Sequence, residues 1–342
     1  TNLGSVPAVL DGAYLSNDPM NRGKWQIPAL KLQPGESKVI FCDATATAAT
    51  AASFGLAGEG GTVILSGSAG NILSKAEYPT LGPDESWALT DGEYRLTSMA
   101  TPGYPNTEEG YLACRNAQAP TGGLVITEVM SSNDGYLLQS DGGYHDWIEL
   151  ENRSKEAIDL SAYYLSDDPA QLELFRLPQK TLAPGERVIV ICAGEASLVG
   201  KYIFADFTIS AEEAWLYLSS GGKICDRLHL EQIPQGCSFG RMTGENAPVY
   251  FTAPTPGRAN GTGVALISEQ PMVKTEPGVY ESAKVSVEVQ GAGTVRYTLD
   301  GSVPGEEEPV YTAPIELTET AVLRFVSFEA GKLPSEAVTA SY

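Results

Sequence analysis

The histidines are the side chains best suited to proton transfer near neutral pH, and the chain has two of them, His145 and His229. His145 adjoins Asp146 and follows a glycine-rich stretch, but no serine or cysteine nucleophile motif lies next to it in the sequence. A phosphate-binding loop and His-Glu-x-x-His are absent from the sequence. Paired carboxylates for glycoside cleavage stay open, although the barrel scaffold that usually carries them is not indicated. We therefore predict no catalytic residue and no cofactor-binding residue in this chain.

Carboxylates grouped near turns are the second candidate chemistry, because hard cations such as Ca²⁺ are bound by several oxygen ligands. No spacing among them matches a known calcium loop, and aspartates beside turns commonly accept backbone amide bonds. A run of glutamates is typical of a solvated hairpin tip. We predict no metal ligands, while the sequence leaves bound Ca²⁺ open. The positions considered are Asp18, Asp134, Asp141, Asp146, Asp168, Glu306, Glu307 and Glu308.

A long internal repeat organises the elements that must position these residues. Residues 1–42 match residues 151–192 at a constant offset of 150 without a gap. The match continues with small drifts as far as Asn106 and its counterpart Asn260. A repeat of this length corresponds to a whole domain, because solenoid units are only about 20–50 residues long.

The four tryptophans could stack on sugar rings through their aromatic faces. Trp147 and Trp215 lie in apolar strand segments, which favours packing in a core. The other two align with phenylalanines in the repeat, and exchange among aromatic residues fits a shared packing role better than a ligand contact. The aligned pairs are Trp25 with Phe175 and Trp87 with Phe239.

Five cysteines cannot all form pairs. Cys42 and Cys192 end equivalent apolar segments of the repeat, so we predict that they occupy the same buried strand position in two similar sandwiches. Cys225 and Cys237 lie 12 residues apart, and the sequence leaves open whether they form a disulfide. Nothing has the Cys-x-x-Cys spacing of a metal or redox site.

The balance of charge is strongly acidic, with 22 Lys and Arg against 43 Asp and Glu and a net charge of −21. Such a surface repels phosphate, so we expect neither nucleic acid nor anionic lipid as a partner. No stretch approaches the roughly 20 apolar residues of a membrane helix, and we expect no membrane insertion. The acid excess is best explained by solubility, with attraction of cations as the alternative.

Short apolar or alternating runs separated by Gly, Pro, Asn and Asp are typical of β-strands. Such runs occur at 124–129, 147–150 and 215–218, whereas only 45–52 and 195–200 suggest single helical turns. The sequence therefore predicts an all-β chain of three consecutive β-sandwiches. Its predicted parts are a first module at 1–106, a linker at 107–122, a second module at 123–261 and a third module at 262–342.

Alternation also defines the third module. Val285, Val287 and Val289 place apolar side chains at every second position, which suits a half-buried strand. Asp300 and Gly301 supply the turn chemistry of a tight hairpin. The strands are predicted at 284–289, 295–299, 322–328 and 337–342.

Six runs of the second module, in this order, resemble the bacterial lamin-tail domain, which is an immunoglobulin-like β-sandwich. The first module resembles the same family from Asn2 onward but lacks the opening strands equivalent to 124–150. It is therefore similar to a lamin-tail domain that is truncated at its N-terminus. The runs that carry the resemblance are 126–129, 146–152, 159–161, 164–168, 182–186 and 254–257.

The run 297–304 and the later run 311–315 make the third module similar to the fibronectin-like domain at the C-terminus of chitobiases, although Gly305 replaces the usual threonine. Both module types are common beside spore-coat-protein-H-like kinase domains and in other bacterial surface proteins, and neither carries chemistry of its own. The resemblance implies non-catalytic spacer or adhesion modules of a larger exported protein, extracellular or at the cell surface, with protein or glycan partners. The alternative is a carbohydrate-binding accessory region of a multidomain enzyme.

The first module carries one further expectation. Without its opening strands, its sheet should expose unpaired backbone groups along one edge, and such edges recruit other strands. We expect this edge to be covered by a neighbouring module, by a second chain or by residues upstream of Thr1.

Overall fold

Two compact units make up the protein, Thr1–Ala117 and Gln118–Tyr342. The division between them falls inside the predicted linker at 107–122, and the second and third modules belong to one unit. No helix in the described part of the chain is long and apolar enough to cross a membrane. The computed structural model describes residues 1–45, 51–82, 85–117, 120–194, 200–210, 214–281 and 284–342.

Short β-strands and a terminal helix make up the first unit. The helix begins after Thr107, whose hydroxyl oxygen accepts a hydrogen bond from the Gly110 amide at 3.1 Å. Glu108 and Glu109 in its first turn complement the helix dipole. Much of the predicted linker is therefore helical. The elements are β1 (Ala8–Val9), β2 (Tyr14–Ser16), β3 (Trp25–Gln26), β4 (Lys31–Leu32), β5 (Phe41–Cys42), β6 (Ala51–Ala52), β7 (Gly61–Ser66), β8 (Ile72–Tyr78), β9 (Ser86–Thr90), β10 (Glu93–Thr97) and α1 (Glu108–Asn116).

Longer strands form the second module, as its alternating apolar runs predict. A 3₁₀ turn at Leu160–Ala162 interrupts them, and the Asp159 carboxylate caps it. The strands are β11 (Leu124–Met130), β12 (Asp146–Asn152), β13 (Ile158–Asp159), β14 (Tyr163–Ser166), β15 (Phe175–Arg176), β16 (Thr181–Leu182), β17 (Arg187–Cys192), β18 (Ile203–Ala205), β19 (Ala214–Ser220), β20 (Lys223–Leu230), β21 (Ser238–Arg241) and β22 (Pro248–Phe251).

Two sheets pack against each other in the second module. One has the strand order β18-β17-β12-β11-β21-β22, and the other has the order β15-β14-β19-β20. Successive residues of a strand point to opposite faces, so Ile148 and Leu150 of the first sheet meet Leu216 and Leu218 of the second in one buried cluster. This layered core confirms the predicted β-sandwich.

The third module is a smaller sandwich with its own core. Val287, Leu323 and Phe325 are buried together in that core. Leu333 instead joins the buried cluster of the second module, so the two modules share apolar contacts. The strands are β23 (Met272–Val273), β24 (Val285–Val287), β25 (Val289–Gln290), β26 (Thr294–Thr298), β27 (Ile315–Leu317), β28 (Val322–Phe328) and β29 (Val338–Ser341).

The predicted turn at Asp300 and Gly301 is present, but it does not close a tight hairpin. Asp300 Oδ1 accepts a hydrogen bond from the Ser302 amide at 3.0 Å, and Gly301 has a φ of 80°. Strand β26 pairs with β28, and its Arg296 bridges to Val310. The prediction is wrong because the chain makes a wide loop after the turn before it returns to β26.

The strand pairings of the second module recur in the first unit. The order β3-β2-β7-β8 corresponds to β15-β14-β19-β20, and the pair β1-β4 corresponds to β13-β16. The pair β9-β10 corresponds to β21-β22, while β5-β6 corresponds to β17-β18 and is parallel like it. Within the described residues of the first unit, β11 and β12 have no counterpart.

The cysteines test the repeat at single positions. Cys42 pairs with Ala52 in the first unit as Cys192 pairs with Ala205 in the second. Cys192 is buried as predicted, but Cys42 is only half-buried, because no counterpart of β12 is described beside it. No two of the five cysteines, all of which the structure describes, form a disulfide, and this includes Cys225 and Cys237.

The structure describes only part of the two segments for which helical turns were predicted. Residues 51 and 52 form strand β6 rather than a helical turn. The rest of that prediction, at 46–50, and the prediction at 195–199 lie outside the described residues.

Candidate functional site

Two buried glutamates on neighbouring strands form the most distinctive polar group of the second module. Glu128 of β11 and Glu149 of β12 face each other across the sheet, next to a register shift between Ile126 and Glu128. Both side chains are fully buried. Because Ile148 and Leu150 point into the main core, the intervening Glu149 points to the opposite face of the sheet.

Glu128 is bound by groups from two later segments of the chain. The Ser238 hydroxyl of β21 donates to its Oε1. The Thr255 amide also donates to Oε1, at 3.0 Å, and the Thr255 hydroxyl lies 3.3 Å from Oε2. These partners stand more than 100 residues away in sequence, so the carboxylate joins β11 to the end of the module.

Glu149 is also held by hydrogen bonds, one from the neighbouring strand β11 and one from the loop after β22. The Thr127 hydroxyl donates to Oε1 at 2.7 Å, and the Gly257 amide donates to Oε2 at 2.7 Å. Arg187 Nε lies 3.2 Å from Oε1 but makes no hydrogen bond there. The same arginine bonds the neighbouring Glu151 through Nη2 at 2.6 Å.

Burial dominates the electrostatics of this pair. Removal from water raises the pKa of Glu149 to about 7, and the nearby Glu128 carboxylate acts in the same direction. Burial also raises the pKa of Glu128, against the lowering effect of its bonds to Ser238 and Thr255. Both carboxyls therefore hold protons more tightly than exposed glutamates do.

The loop 254–260 is the element that these carboxylates hold in place. Its Thr255 and Gly257 bond the two glutamates, and Asn260 Nδ2 donates to Thr127 O at 2.9 Å and to Arg241 O at 3.0 Å. The loop is thus fastened to three strands by side chains and amides. We call this arrangement the carboxylate lock; its residues are Thr127, Glu128, Glu149, Ser238, Thr255, Gly257 and Asn260.

A buried ion pair connects the two sheets nearby. Arg241 of β21 donates to Asp226 of β20 through both terminal nitrogens, from Nη1 to Oδ2 at 2.9 Å and from Nη2 to Oδ1 at 3.0 Å. Asp226 Oδ2 also accepts the Ile126 amide at 2.8 Å, and Arg241 Nη1 donates to Ile126 O at 2.7 Å. Each charge is therefore paired and hydrogen-bonded, the condition under which buried charges are tolerated.

The carboxylate lock does not have the form of a hydrolytic site. A glycosidase needs its two carboxyls to flank an open sugar site, whereas Glu128 and Glu149 have no exposed surface. Their oxygens are occupied by Ser238, Thr255, Thr127 and Gly257. The geometry supports a structural role for the pair.

The histidines lie in separate segments, and neither is among the residues of this lock. His145 Nε2 lies 2.7 Å from Asp141 Oδ2 in the segment between β11 and β12. His229 lies in β20, where its ring stacks on Trp215 at a centroid distance of 4.5 Å. The structure therefore does not bring together the two histidines that were considered for proton transfer.

The turn aspartates behave as the sequence predicts. Asp18 Oδ1 accepts the Met20 amide at 2.8 Å, and its counterpart Asp168 accepts the Ala170 amide at 2.8 Å. Asp134 Oδ2 instead bonds Gln235 Nε2 at 2.7 Å. Among the residues that the structure describes, no group of three or more His, Cys, Asp or Glu side chains is arranged to hold a metal ion.

Two further sets of carboxylates were considered for metal binding: Asp146 in strand β12, and the glutamate run 306–308 in the third module. Burial raises the pKa of Asp146 to about 6. Glu306 and Glu307 are exposed, and Glu308 is half-buried, at the turn of the wide loop that follows β26. This position fits the solvated tip that was predicted for the glutamate run.

The tryptophans divide between two roles. Trp147 is fully buried beside Met130 and Ile191, which confirms the core prediction. Trp215 is only half-buried, and the prediction for it is wrong. The neighbouring Leu216 takes the core position, so alternation along β19 turns Trp215 to the outer face.

The outer face of β19 and β20 carries a stacked group that we call the aromatic ladder, formed by Trp215, Tyr217, His229 and Arg227. The Trp215 ring stacks on Tyr217 at 6.2 Å, with an interplanar angle of 18°. The Arg227 guanidinium lies 5.3 Å from the Trp215 ring centroid. Trp25 and Trp87 of the first unit are half-buried.

Sequence reasoning missed the carboxylate lock as a site, although a signal was present. The run Asp146–Asn152 places Glu149 and Glu151 in a strand whose neighbours, β11 and β17, are mostly apolar. A carboxylate at such a position must be paired or hydrogen-bonded when the strand is central. The partners could not be identified, because they come from a distant loop.

Two parts of the chain match known protein families. Residues 117–230 match the family described as the Lamin Tail Domain, and residues 275–340 match the Chitobiase/beta-hexosaminidase C-terminal domain. Neither matched segment includes residues 1–116. A comparison with curated proteins finds no match. The second and third modules are thus similar to the domain types that their sequence motifs indicated, and both are accessory types that fit a non-catalytic part of a larger protein.

Proposed function

We propose that this chain is a set of non-catalytic modules of a larger exported bacterial surface protein, in which it serves as a spacer and adhesion region for protein or glycan contacts. The observation that carries the proposal is the carboxylate lock. Its chemically most distinctive groups, Glu128 and Glu149, are fully buried and bonded to the fold. The two family matches support the same reading, because both domain types are accessory modules.

The first module belongs in this proposal as a second lamin-tail-like sandwich. Its support is the repeat of strand orders between the two units, including the parallel pairs β5-β6 and β17-β18. The relation to proteins with a spore-coat-protein-H-like domain rests on the combination of module types. Its location outside the cell rests on the same combination and on the acidic composition.

Carbohydrate binding for an attached enzyme is the second candidate function. The aromatic ladder supports it, because Trp215 offers a half-buried aromatic face with Arg227 beside it, and such faces suit sugar rings. The match of residues 275–340 to a domain of chitobiases points to the same substrate class.

A glycan array with the intact chain separates a region that contacts proteins from a region that binds carbohydrate. Spacer and adhesion modules that contact proteins give no glycan signal above background. A carbohydrate-binding region gives a signal that Trp215→Ala removes, while Trp25→Ala, a matched change of a half-buried tryptophan in the first unit, leaves it intact. A glycan signal that survives Trp215→Ala would contradict the assignment of binding to the aromatic ladder.

A further inference from the structure

The sheet of the first module has a gap where the second module has two strands. In the second module β12 and β11 lie between β17 and β21, in the order β18-β17-β12-β11-β21-β22. In the first unit the corresponding pairs β6-β5 and β9-β10 are each present and are not joined by hydrogen bonds to each other. The gap is therefore two strands wide.

The side chains that border this gap are apolar and open to solvent. Phe41 of β5 is 72% exposed, whereas its counterpart Ile191 has no exposed surface. Leu96 of β10 is 49% exposed, whereas Tyr250 at the equivalent register is 1% exposed. The repeat thus keeps apolar residues where the second module covers them with β12 and β11.

The polar groups that receive the two glutamates are also repeated. The loop bond between Thr101 and Asn106, at 2.7 Å, corresponds to the bond between Thr255 and Asn260, at 2.9 Å. Gly103 has a φ of 86°, like Gly257 with a φ of 80°. The loop of the first module therefore keeps the form that binds carboxylates in the second.

These receiving groups find no acceptor in the described part of the first unit. They are the Ser86 hydroxyl and the amides of Thr101 and Gly103, which correspond to Ser238, Thr255 and Gly257. In the second module each of the three donates to Glu128 or Glu149. The first module thus presents donors arranged for two carboxylates.

The chain also fixes the direction from which strands enter the gap. Asn2 Nδ2 donates to Leu32 O at 3.0 Å, as Asn152 at the end of β12 donates to Leu182 O at 2.8 Å. The Asn2 amide donates to Glu36 O, as the Asn152 amide donates to Glu186 O. Asn2 therefore holds the register in which β12 ends.

We propose that the first module binds an antiparallel pair of β-strands in this gap, with one of them in the register that Asn2 holds. Apolar residues of the pair cover Phe41 and Leu96. One carboxylate on each strand bonds Ser86, Thr101 and Gly103. The pair has the residue pattern of 124–150, and it adds to the edges of β5 and β9 by main-chain hydrogen bonds.

The test adds such a pair to the intact chain and measures the reactivity of Cys42. Residues 123–150 are fused directly before Thr1, and iodoacetamide labelling of each cysteine is followed by mass spectrometry. Asp146 of β12 pairs with Cys192, so the added strand lies beside Cys42. We expect labelling of Cys42 to slow at least about tenfold, because access then requires local opening of the sheet. Cys225 and Cys237 of the second unit are the internal controls and keep their rates.

A matched variant tests the chemistry of the occupant. Glu128→Ala and Glu149→Ala, placed only in the fused copy, should restore most of the Cys42 reactivity. Equal Cys42 rates with and without the fused segment would overturn the proposal. An unfused chain that is dimeric and already protected at Cys42 would also overturn it, because a second copy would then fill the gap.

A second variant keeps the test decisive if the fused carboxylate variant fails to fold. Phe41→Asp should leave the melting temperature of the unfused chain unchanged, since this side chain is mostly exposed there. In the fused chain the same change should lower the melting temperature of the first unit. An equal effect in both chains would show that no strand covers Phe41.

Discussion

The stability of the second module should fall as the pH rises from about 5 to about 8, and Glu149→Gln should remove a large part of this dependence. Glu149 is fully buried, and burial raises its pKa from 4.5 to about 7 in the folded protein. Glutamine stays neutral at every pH and keeps a carbonyl oxygen for the bonds from Thr127 and Gly257. The variant therefore resembles the protonated glutamic acid.

The sign follows from proton binding in the two states. The unfolded chain releases the Glu149 proton near pH 4.5, whereas the folded protein holds it until about pH 7. Between these values the folded state binds more protons, so stability that is present at low pH is lost as the pH rises. The interval from 4.5 to 7 corresponds to about 3 kcal/mol at a pH above both values. Arg187 at 3.2 Å offsets part of the burial cost without a hydrogen bond.

The assay is urea unfolding at a series of pH values, followed by tryptophan fluorescence, to which the buried Trp147 of this module contributes. Wild-type stability should decline across the series, and Glu149→Gln should decline less. Glu156→Gln, at an exposed glutamate of the same module, is the matched control and should follow the wild type. Burial also raises the pKa of Glu231 to about 7, so a residual slope in the variant is expected. A wild-type stability that is flat or rises with pH, or a variant with the wild-type slope, would refute the reasoning.

Three further predictions concern the lock, the module contact and the charge. Asn260→Ala should lower the unfolding free energy of the second module by about 1–3 kcal/mol in urea titration, because it leaves Thr127 O and Arg241 O without their buried donor; no loss would show that the loop is held otherwise. Leu333→Ala should cost about 2–5 kcal/mol in the same titration and destabilise the second module although it lies in the third, because Leu333 is part of the second module's core. Duplex DNA should show no binding in fluorescence anisotropy at physiological salt, given the net charge of −21, and salt-sensitive micromolar binding would contradict this.

The repeat and the alternation of apolar residues were sufficient to predict the all-β sandwiches. The offset between Asn2 and Asn152 already places two residues that make the same bonds in the two units. Period-two patterning also identified β12 and β19, because a central strand buries one set of alternate residues in the core. The same pattern could not assign a face: Trp215 and Leu216 are both apolar, and only the packed sheets show which one enters the core.

The carboxylate lock was beyond the reach of sequence reasoning for a different reason. A glutamate in a strand usually points to solvent, so the residue type alone did not mark Glu128 and Glu149 as buried, and the apolar neighbouring strands were a weak signal. Their donors Ser238, Thr255 and Gly257 are far away in the sequence, and only tertiary structure brings them together. The wide loop after Asp300 was missed similarly, since turn chemistry does not determine which strand pairs next.

Hydrolysis by the intact chain is the most direct test of the claim that Glu128 and Glu149 fasten a loop rather than act on a substrate. The measurement is product release from a panel of fluorogenic glycosides at pH 5 to 8, with wild type, Glu128→Gln and Glu149→Gln side by side. Our account predicts that all three give the rate of buffer alone. Turnover by the wild type that either substitution abolishes, with the variant still folded by circular dichroism, would contradict it.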